Sequence, residues 1–235
     1  MLERRATSRA DDPDRGTAAS PLSPHRRLSD IVNALPLSDA AASRVAALLR
    51  AGGTAVVPAE GVYGLTCAAS RPDAIARLIQ LKGRDTRKPM LVLAPDWRSA
   101  RALAAEVPDA LRGLERSRLA ATILLPARDD VPFGLVGPER LVGVRLPADD
   151  LGQALTGTLG LVVSTSANRS GDPTPRTLSD VPEAIRQRVD AVVDGGELGG
   201  RPSTVARWSP GRLAVLREGA VDRDALRAAT GLAVE

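Results

Sequence analysis

The chain has 235 residues, 43% of them hydrophobic, and its 32 Lys and Arg against 28 Asp and Glu leave a formal net charge of +4. One Cys and one His exclude an internal disulfide and a zinc site of the Cys/His kind, and any His-dependent nucleophile would have to use His25. Aromatic residues make up only 2%, so the core must be Val, Leu, Ile and Ala, and the modest positive charge alone does not identify a nucleic-acid binder.

Residues 1–30 are dominated by Pro, Ser, Arg and Asp and lack apolar periodicity, so a disordered tail is expected there, followed by one domain over 31–235. The tail has no apolar centre of a signal peptide, and no run of 18 apolar residues occurs in the sequence. No membrane partner is expected, and the expected location is the cytoplasm.

The first helix is predicted from about Ser38, which can cap it, to Ala51, with Gly52-Gly53 as its stop. Thr54 to Pro58 reads as a short buried strand, and Ala59 to Gly64 as a loop. A helix over 72–82 carries Ile75, Leu78 and Ile79 on one side and ends at Gly83. A strand over 90–94 and a helix over 97–115 follow. Apolar runs at 121–126, 141–147, 161–167, 191–194 and 203–208 read as further strands, with helices over 179–189 and 222–229. Strands mixed with helices mean an α/β layered domain. In open α/β sheets, ligands bind beyond strand ends, which is where the polar candidates lie.

Four segments place polar chemistry at such ends. Only two of the 32 cations are lysines, Lys82 and Lys88, and both fall in one heptapeptide with Arg84 and Arg87. An ammonium is a compact charge suited to phosphate, whereas cations after a helix end also suit the helix dipole in a solvated turn. Ser164 to Gly171 gathers hydroxyls and an amide where a strand ends, either for a ligand or for its own backbone. Glu60, Gly61 and the lone Tyr63 lie in a glycine-flanked connection that is either a ligand loop or a tight turn with a packed ring. Ser203-Thr204 and Arg217 close the set. No G-x-x-x-x-G-K-[ST] occurs, and no G-x-G-x-x-G follows a strand, so a nucleotide would bind by another arrangement.

Taken in order, seven short motifs resemble the threonylcarbamoyl-AMP synthase family, which shares the YrdC-like domain. They are Pro58–Leu65, Lys82-Gly83-Arg84, Thr122, Gly143-Val144-Arg145-Leu146-Pro147, Ser166-Ala167-Asn168-Arg169-Ser170-Gly171, Ser203-Thr204-Val205 and Leu216-Arg217-Glu218-Gly219, covering roughly residues 38–230. The resemblance implies a twisted mixed α/β sheet with flanking helices around a basic cavity. It implies that L-threonine, bicarbonate and ATP become threonylcarbamoyl-AMP and pyrophosphate, the product serving the N6-threonylcarbamoyladenosine modification of tRNA.

By that resemblance Lys82 and Arg84 are catalytic, and ATP is held by Lys82, Arg84, Lys88, Thr122, Ser164, Ser166, Asn168, Ser203 and Arg217. Glu60, Gly61, Tyr63 and Arg145 belong to the amino-acid and carbamate side. Mg²⁺ bridges phosphates with no protein metal site, RNA contact (double-stranded RNA included) is implied, and the product passes to a tRNA threonylcarbamoyltransferase complex. The chain departs from the pattern at Ala59 and Gly61, where the family carries Thr, at Leu93, where many members carry His, and at Pro202, where Glu is usual. A W-P-G-P stretch common before the Thr strand is missing. Two alternatives follow: a relative with a different amino-acid substrate, and a non-catalytic RNA-binding protein.

Overall fold

The computed structural model describes residues 34–83, 90–137 and 139–235. The expected tail over 1–30 lies outside the described residues, as do Arg84 and Lys88. The described elements begin with β1 (Leu35–Pro36), α1 (Asp39–Arg50), β2 (Thr54–Ala59), β3 (Val62–Ala68), α2 (Pro72–Lys82), β4 (Leu91–Leu93) and α3 (Trp97–Ala100). They continue with α4 (Arg112–Ser117), β5 (Ala121–Pro126), β6 (Leu141–Arg145), α5 (Asp150–Leu159), β7 (Val162–Ser166) and α6 (Glu183–Arg186). The last are β8 (Ala191–Asp194), β9 (Thr204–Ser209), β10 (Arg212–Arg217), α7 (Arg223–Thr230) and β11 (Ala233–Val234).

Local chemistry accounts for the helix ends. Ser38 caps α1, its hydroxyl accepting from Ala41 N at 3.2 Å. Gly83 ends α2 at φ 57, a left-handed conformation that a glycine adopts without strain. Asp149 and Asp222 cap α5 and α7 in the same way as Ser38 caps α1.

Several expectations are corrected. The expected loop over 59–64 is mostly strand: β2 and β3 pair antiparallel from Thr54↔Cys67 to Ala59↔Val62, so only Glu60 and Gly61 form the turn. The expected helix over 97–115 is interrupted: α3 stops at Ala100, Ala104 bridges to Ala127 while Ala105 N donates to Pro126 O, and Pro108, which disfavours helical backbone at Val107, precedes the next helical turn. The expected helix over 179–189 shrinks to α6: Pro182 stands at its start, after an extended Val181. α5, rich in Gly and Thr, and the β10–β11 pair carry weak local signals and emerge only in the fold.

The eleven described strands form one mixed sheet in the order β1-β8-β2-β3-β7-β4-β6-β5-β9-β10-β11. This is the α/β class expected. Strand alternation gives the sheet two apolar faces. On one, Val45 and Leu49 of α1 and Leu151 and Leu155 of α5 pack against Ala55, Val57, Ala68, Leu93 and Val162. On the other, α2 presents Ile75 and Leu78 to the larger cluster that includes Val56, Leu65 and Val163. No described helix is long and apolar enough to cross a membrane.

Candidate functional site

The face covered by α1 and α5 continues past those helices, and there its residues change character. Registered pairs carry one row across the sheet: Gly64↔Ser166, Thr66↔Ser164, Ser164↔Leu91, Leu91↔Gly143, Gly143↔Leu124 and Thr122↔Val205. Because side chains alternate with period two, these residues share the face of Ala68, Val162 and Leu93 but stand where no helix packs. Nearly all of them line a cavity of about 670 Å³. Its floor is small by necessity. A Cβ on Gly143 would lie 3.1 Å from Met90 O, and one on Gly64 would lie 3.3 Å from Ser164 Oγ.

Three cationic side chains among the described residues line this cavity. Lys82 ends α2 and is only 4% exposed. Its ammonium donates to Ser166 O at 2.5 Å and Oγ at 3.1 Å, and to Asn168 O at 3.2 Å and Oδ1 at 3.1 Å. Asn168 is itself fixed, its Nδ2 donating to Asp172 O at 2.6 Å. The strand-end hydroxyls and the lysine therefore form one built cluster rather than a solvated turn.

Arg145, on β6, lies against Glu60 at the β2–β3 turn, with Nε 3.2 Å from Oε2 and both side chains at most 10% exposed. The approach angle is off the hydrogen-bonding direction, so the pair is held by charge alone at those two atoms. The other oxygen of Glu60 accepts from Ala148 N at 2.5 Å, tying the hairpin to the β6–α5 connection. Burial pushes the Glu60 carboxyl above its ordinary value, outweighing the pull of Arg145 and the Ala148 N–H.

Arg217, at the end of β10, donates from Nη2 to Ser203 O at 2.7 Å. Burial first, and the positive charge of Arg145 second, hold its guanidinium below the ordinary value. Two arginines that repel each other in a shared cavity favour an anion between them. Thr122 and Ser203 share a buried hydroxyl–hydroxyl hydrogen bond of 2.9 Å beneath them.

Nine of the residues singled out from sequence thus meet at one cavity: Lys82, Thr122, Ser164, Ser166, Asn168, Ser203, Arg217, Glu60 and Arg145. Two do not. Gly61 faces a neighbouring cavity of about 540 Å³ on the far side of the hairpin tip. It adopts φ 79, and a Cβ there would lie 2.6 Å from the carbonyl oxygen of Arg201. Its own carbonyl accepts from Gly200 N at 2.6 Å. Tyr63 is fully buried; its hydroxyl donates toward Asp194 Oδ1 at 3.1 Å or Gly196 O at 2.9 Å and accepts from Gly195 N at 3.0 Å. It fastens the hairpin to the loop after β8 and is not among the cavity-lining residues. Of the other lining residues, Leu91 lies outside every motif read from the sequence, while Gly64, Gly143 and Leu216 lie within motifs but carried no assigned role.

The Sua5_yciO_yrdC family model, described as telomere recombination, matches residues 47–219. A threonylcarbamoyl-AMP synthase of Nitrosococcus oceani is 38% identical over 157 residues, covering 64% of this chain and 83% of that protein. One from Bacillus subtilis is 31% identical over 208 residues, covering 86% of this chain and 60% of that protein. Among solved structures, P. abyssi Sua5 complexed with L-threonine superposes with a TM-score of 0.76 at 26% identity, covering 86% of this chain and 61% of that one. The chain therefore spans about three-fifths of the B. subtilis and P. abyssi proteins.

Proposed function

The chain belongs to the Sua5/YciO/YrdC family, and on that footing we propose that it is a threonylcarbamoyl-AMP synthase, an ATP-consuming enzyme. The reaction joins L-threonine, bicarbonate and ATP into threonylcarbamoyl-AMP, pyrophosphate and water, the adenylate serving tRNA modification. The observation that carries the reading is the convergence of Lys82, Arg145 and Arg217 with strand-end hydroxyls on one cavity of about 670 Å³.

The chemistry suits those residues. Bicarbonate takes up a proton and loses water to give CO₂, and the amine of threonine adds to that CO₂ and loses a proton to give a carbamate. A carbamate oxygen attacks the α-phosphorus, and the bond to pyrophosphate breaks. Such a step gains chiefly from positioning and from cations placed where negative charge develops. Lys82 and the Ser164–Ser166–Asn168 cluster are assigned to the phosphates, with Arg84 and Lys88 extending that set by resemblance. Thr122, Ser203 and Arg217 are assigned to the nucleotide, and Arg145, oriented by Glu60, to the carbamate side. Among the described residues no group of three or more His, Cys, Asp and Glu is placed to hold a metal. Glu60, the acidic residue that lines the cavity, is already paired with Arg145. Mg²⁺ is accordingly assigned to the nucleotide phosphates, with no ligand from the described residues. RNA contact, transfer of the product to a tRNA threonylcarbamoyltransferase complex and a cytoplasmic location belong to the same proposal.

One observation favours a second reading of the amino-acid side. The space beside Gly61 is taken by the Arg201 backbone, so no side chain at position 61 can contact an amino acid there. A relative with a different amino-acid preference fits that arrangement. Mass spectrometry of the adenylate formed with ATP, Mg²⁺, bicarbonate and each amino acid in turn tests both. Threonylcarbamoyl-AMP formed efficiently supports the first reading and sinks the second. Pyrophosphate release that ignores bicarbonate and amino acids, with salt-sensitive RNA binding, would support a non-catalytic protein instead.

A further inference from the structure

β10 is irregular beside the cavity. Its pairing with β9 runs from Arg212↔Ser209 to Val215↔Ala206 and then resumes at Arg217↔Val205, so Leu216 is an extra residue. Such a bulge re-aims the side chains after it. Val215 pairs with Ala206, which belongs to the core on the face opposite the cavity. Regular alternation would therefore put Leu216 opposite Val205 and send Arg217 to the core face. The inserted residue instead brings Arg217 opposite Val205, and both Leu216 and Arg217 line the cavity.

Leu216 is 59% exposed, one of two large apolar side chains so exposed among the described residues. Pro202 and Val205 also line the cavity, giving the β9–β10 side an apolar wall. The opposite wall, with Lys82, Ser164 and Ser166, is cationic and hydroxyl-lined. ATP has the same division, with anionic phosphates at one end and a flat heteroaromatic base at the other. We propose that the nucleobase of the bound nucleotide lies on this apolar wall, covered by Leu216 and flanked by Pro202 and Val205, and that the bulge exists to present Leu216 and Arg217 together. This rests on the ATP reading above and names the residue that reads the base rather than the phosphates.

The experiment compares ATP with inorganic tripolyphosphate, which has the charge but no base, by calorimetry on the full chain. Leu216→Ala is expected to weaken ATP about five- to tenfold, as loss of apolar cover implies, and to leave tripolyphosphate within about twofold. Leu216→Met, similar in volume, restores ATP binding to within about twofold of wild type. An equal loss for tripolyphosphate, or unchanged ATP affinity, overturns the assignment. So does a raised KM for the amino acid with ATP affinity intact, which moves Leu216 to the other substrate. If ATP binds more tightly than tripolyphosphate and L216A removes that difference while no bicarbonate-dependent turnover occurs, the base contact stands and the proposed activity falls.

Discussion

Replacing Lys82 with Met separates a phosphate ligand from a structural strut. Four acceptor atoms of the described residues lie 2.5–3.2 Å from the ammonium, more than its three N–H bonds can satisfy singly, and the side chain is 4% exposed. Charge-assisted hydrogen bonds contribute about 1.5–3 kcal/mol each, but burying the ammonium costs several kcal/mol in return. The net loss of stability in K82M is therefore expected near 1–3 kcal/mol, mostly from acceptors left without a donor. For a unit of about this size that lowers Tm by roughly 2–12 °C. If the same ammonium holds a phosphate, ATP affinity falls by about 10- to 150-fold, the equivalent of one charged contact. Lys82→Arg should not rescue it, because a planar guanidinium does not fit an ammonium-sized site bounded by the Ser166 and Asn168 acceptors. Thermal unfolding and ATP calorimetry on the same samples decide the matter. A lowered Tm with ATP affinity changed less than about twofold would show that Lys82 only braces the end of β7, and the phosphate assignment would be wrong.

Three further outcomes follow from the same geometry. Glu60 is held protonated more readily in the folded chain than at its ordinary value of 4.5, so its favourable contribution is full below about pH 4.5 and is lost as pH rises through the raised folded value. The stability of wild type relative to Glu60→Gln, measured by urea unfolding, should fall across that window; a rise would refute the burial argument. Gly61→Ala should cost about 1–3 kcal/mol, since φ 79 strains any side chain and the new Cβ would press on Arg201 O; a loss below about 0.5 kcal/mol would mean the hairpin tip is not clamped there. Cys67 is fully buried, with its thiol pushed up to about 12, first by burial and then by Asp73, so a thiol reagent at pH 8 should label it only at the rate of unfolding. Rapid labelling of the native protein would contradict that packing.

The sequence carried much of this molecule in local signals. Ser38, Gly83 and the 3.6-residue spacing of Ile75, Leu78 and Ile79 placed α1 and α2 within a residue or two of their bounds, because caps and amphipathic faces act within one or two turns. The scarcity of Lys pointed to Lys82, and the order of seven motifs pointed to the family. Where the local signal was mixed, the chain left alternatives open. The glycines around Tyr63 suit a ligand loop or a packed ring alike, and pairing with β2 and hydrogen bonds to the loop after β8 give the packed ring. The long helix expected over 97–115 gives way after Ala100, where Ala104 and Ala105 pair with Ala127 and Pro126 at the end of β5, a contact no local spacing shows.

Composition and spacing by themselves pointed to the α/β class, left no residues for an internal disulfide or a Cys/His zinc site, and singled out Lys82, the Ser164–Gly171 segment, Ser203 and Arg217, whereas Thr122 and Arg145 became candidates through the family resemblance. Tertiary structure alone decided which of them share a site. Residues as distant in sequence as Glu60, Arg145 and Arg217 meet because strand register sets one row of alternate side chains across the sheet, and α1 and α5 leave part of that row uncovered. The bulge at Leu216 and the backbone packed against Gly61 could not be read from the chain, since each depends on a partner strand or loop that only folding brings alongside.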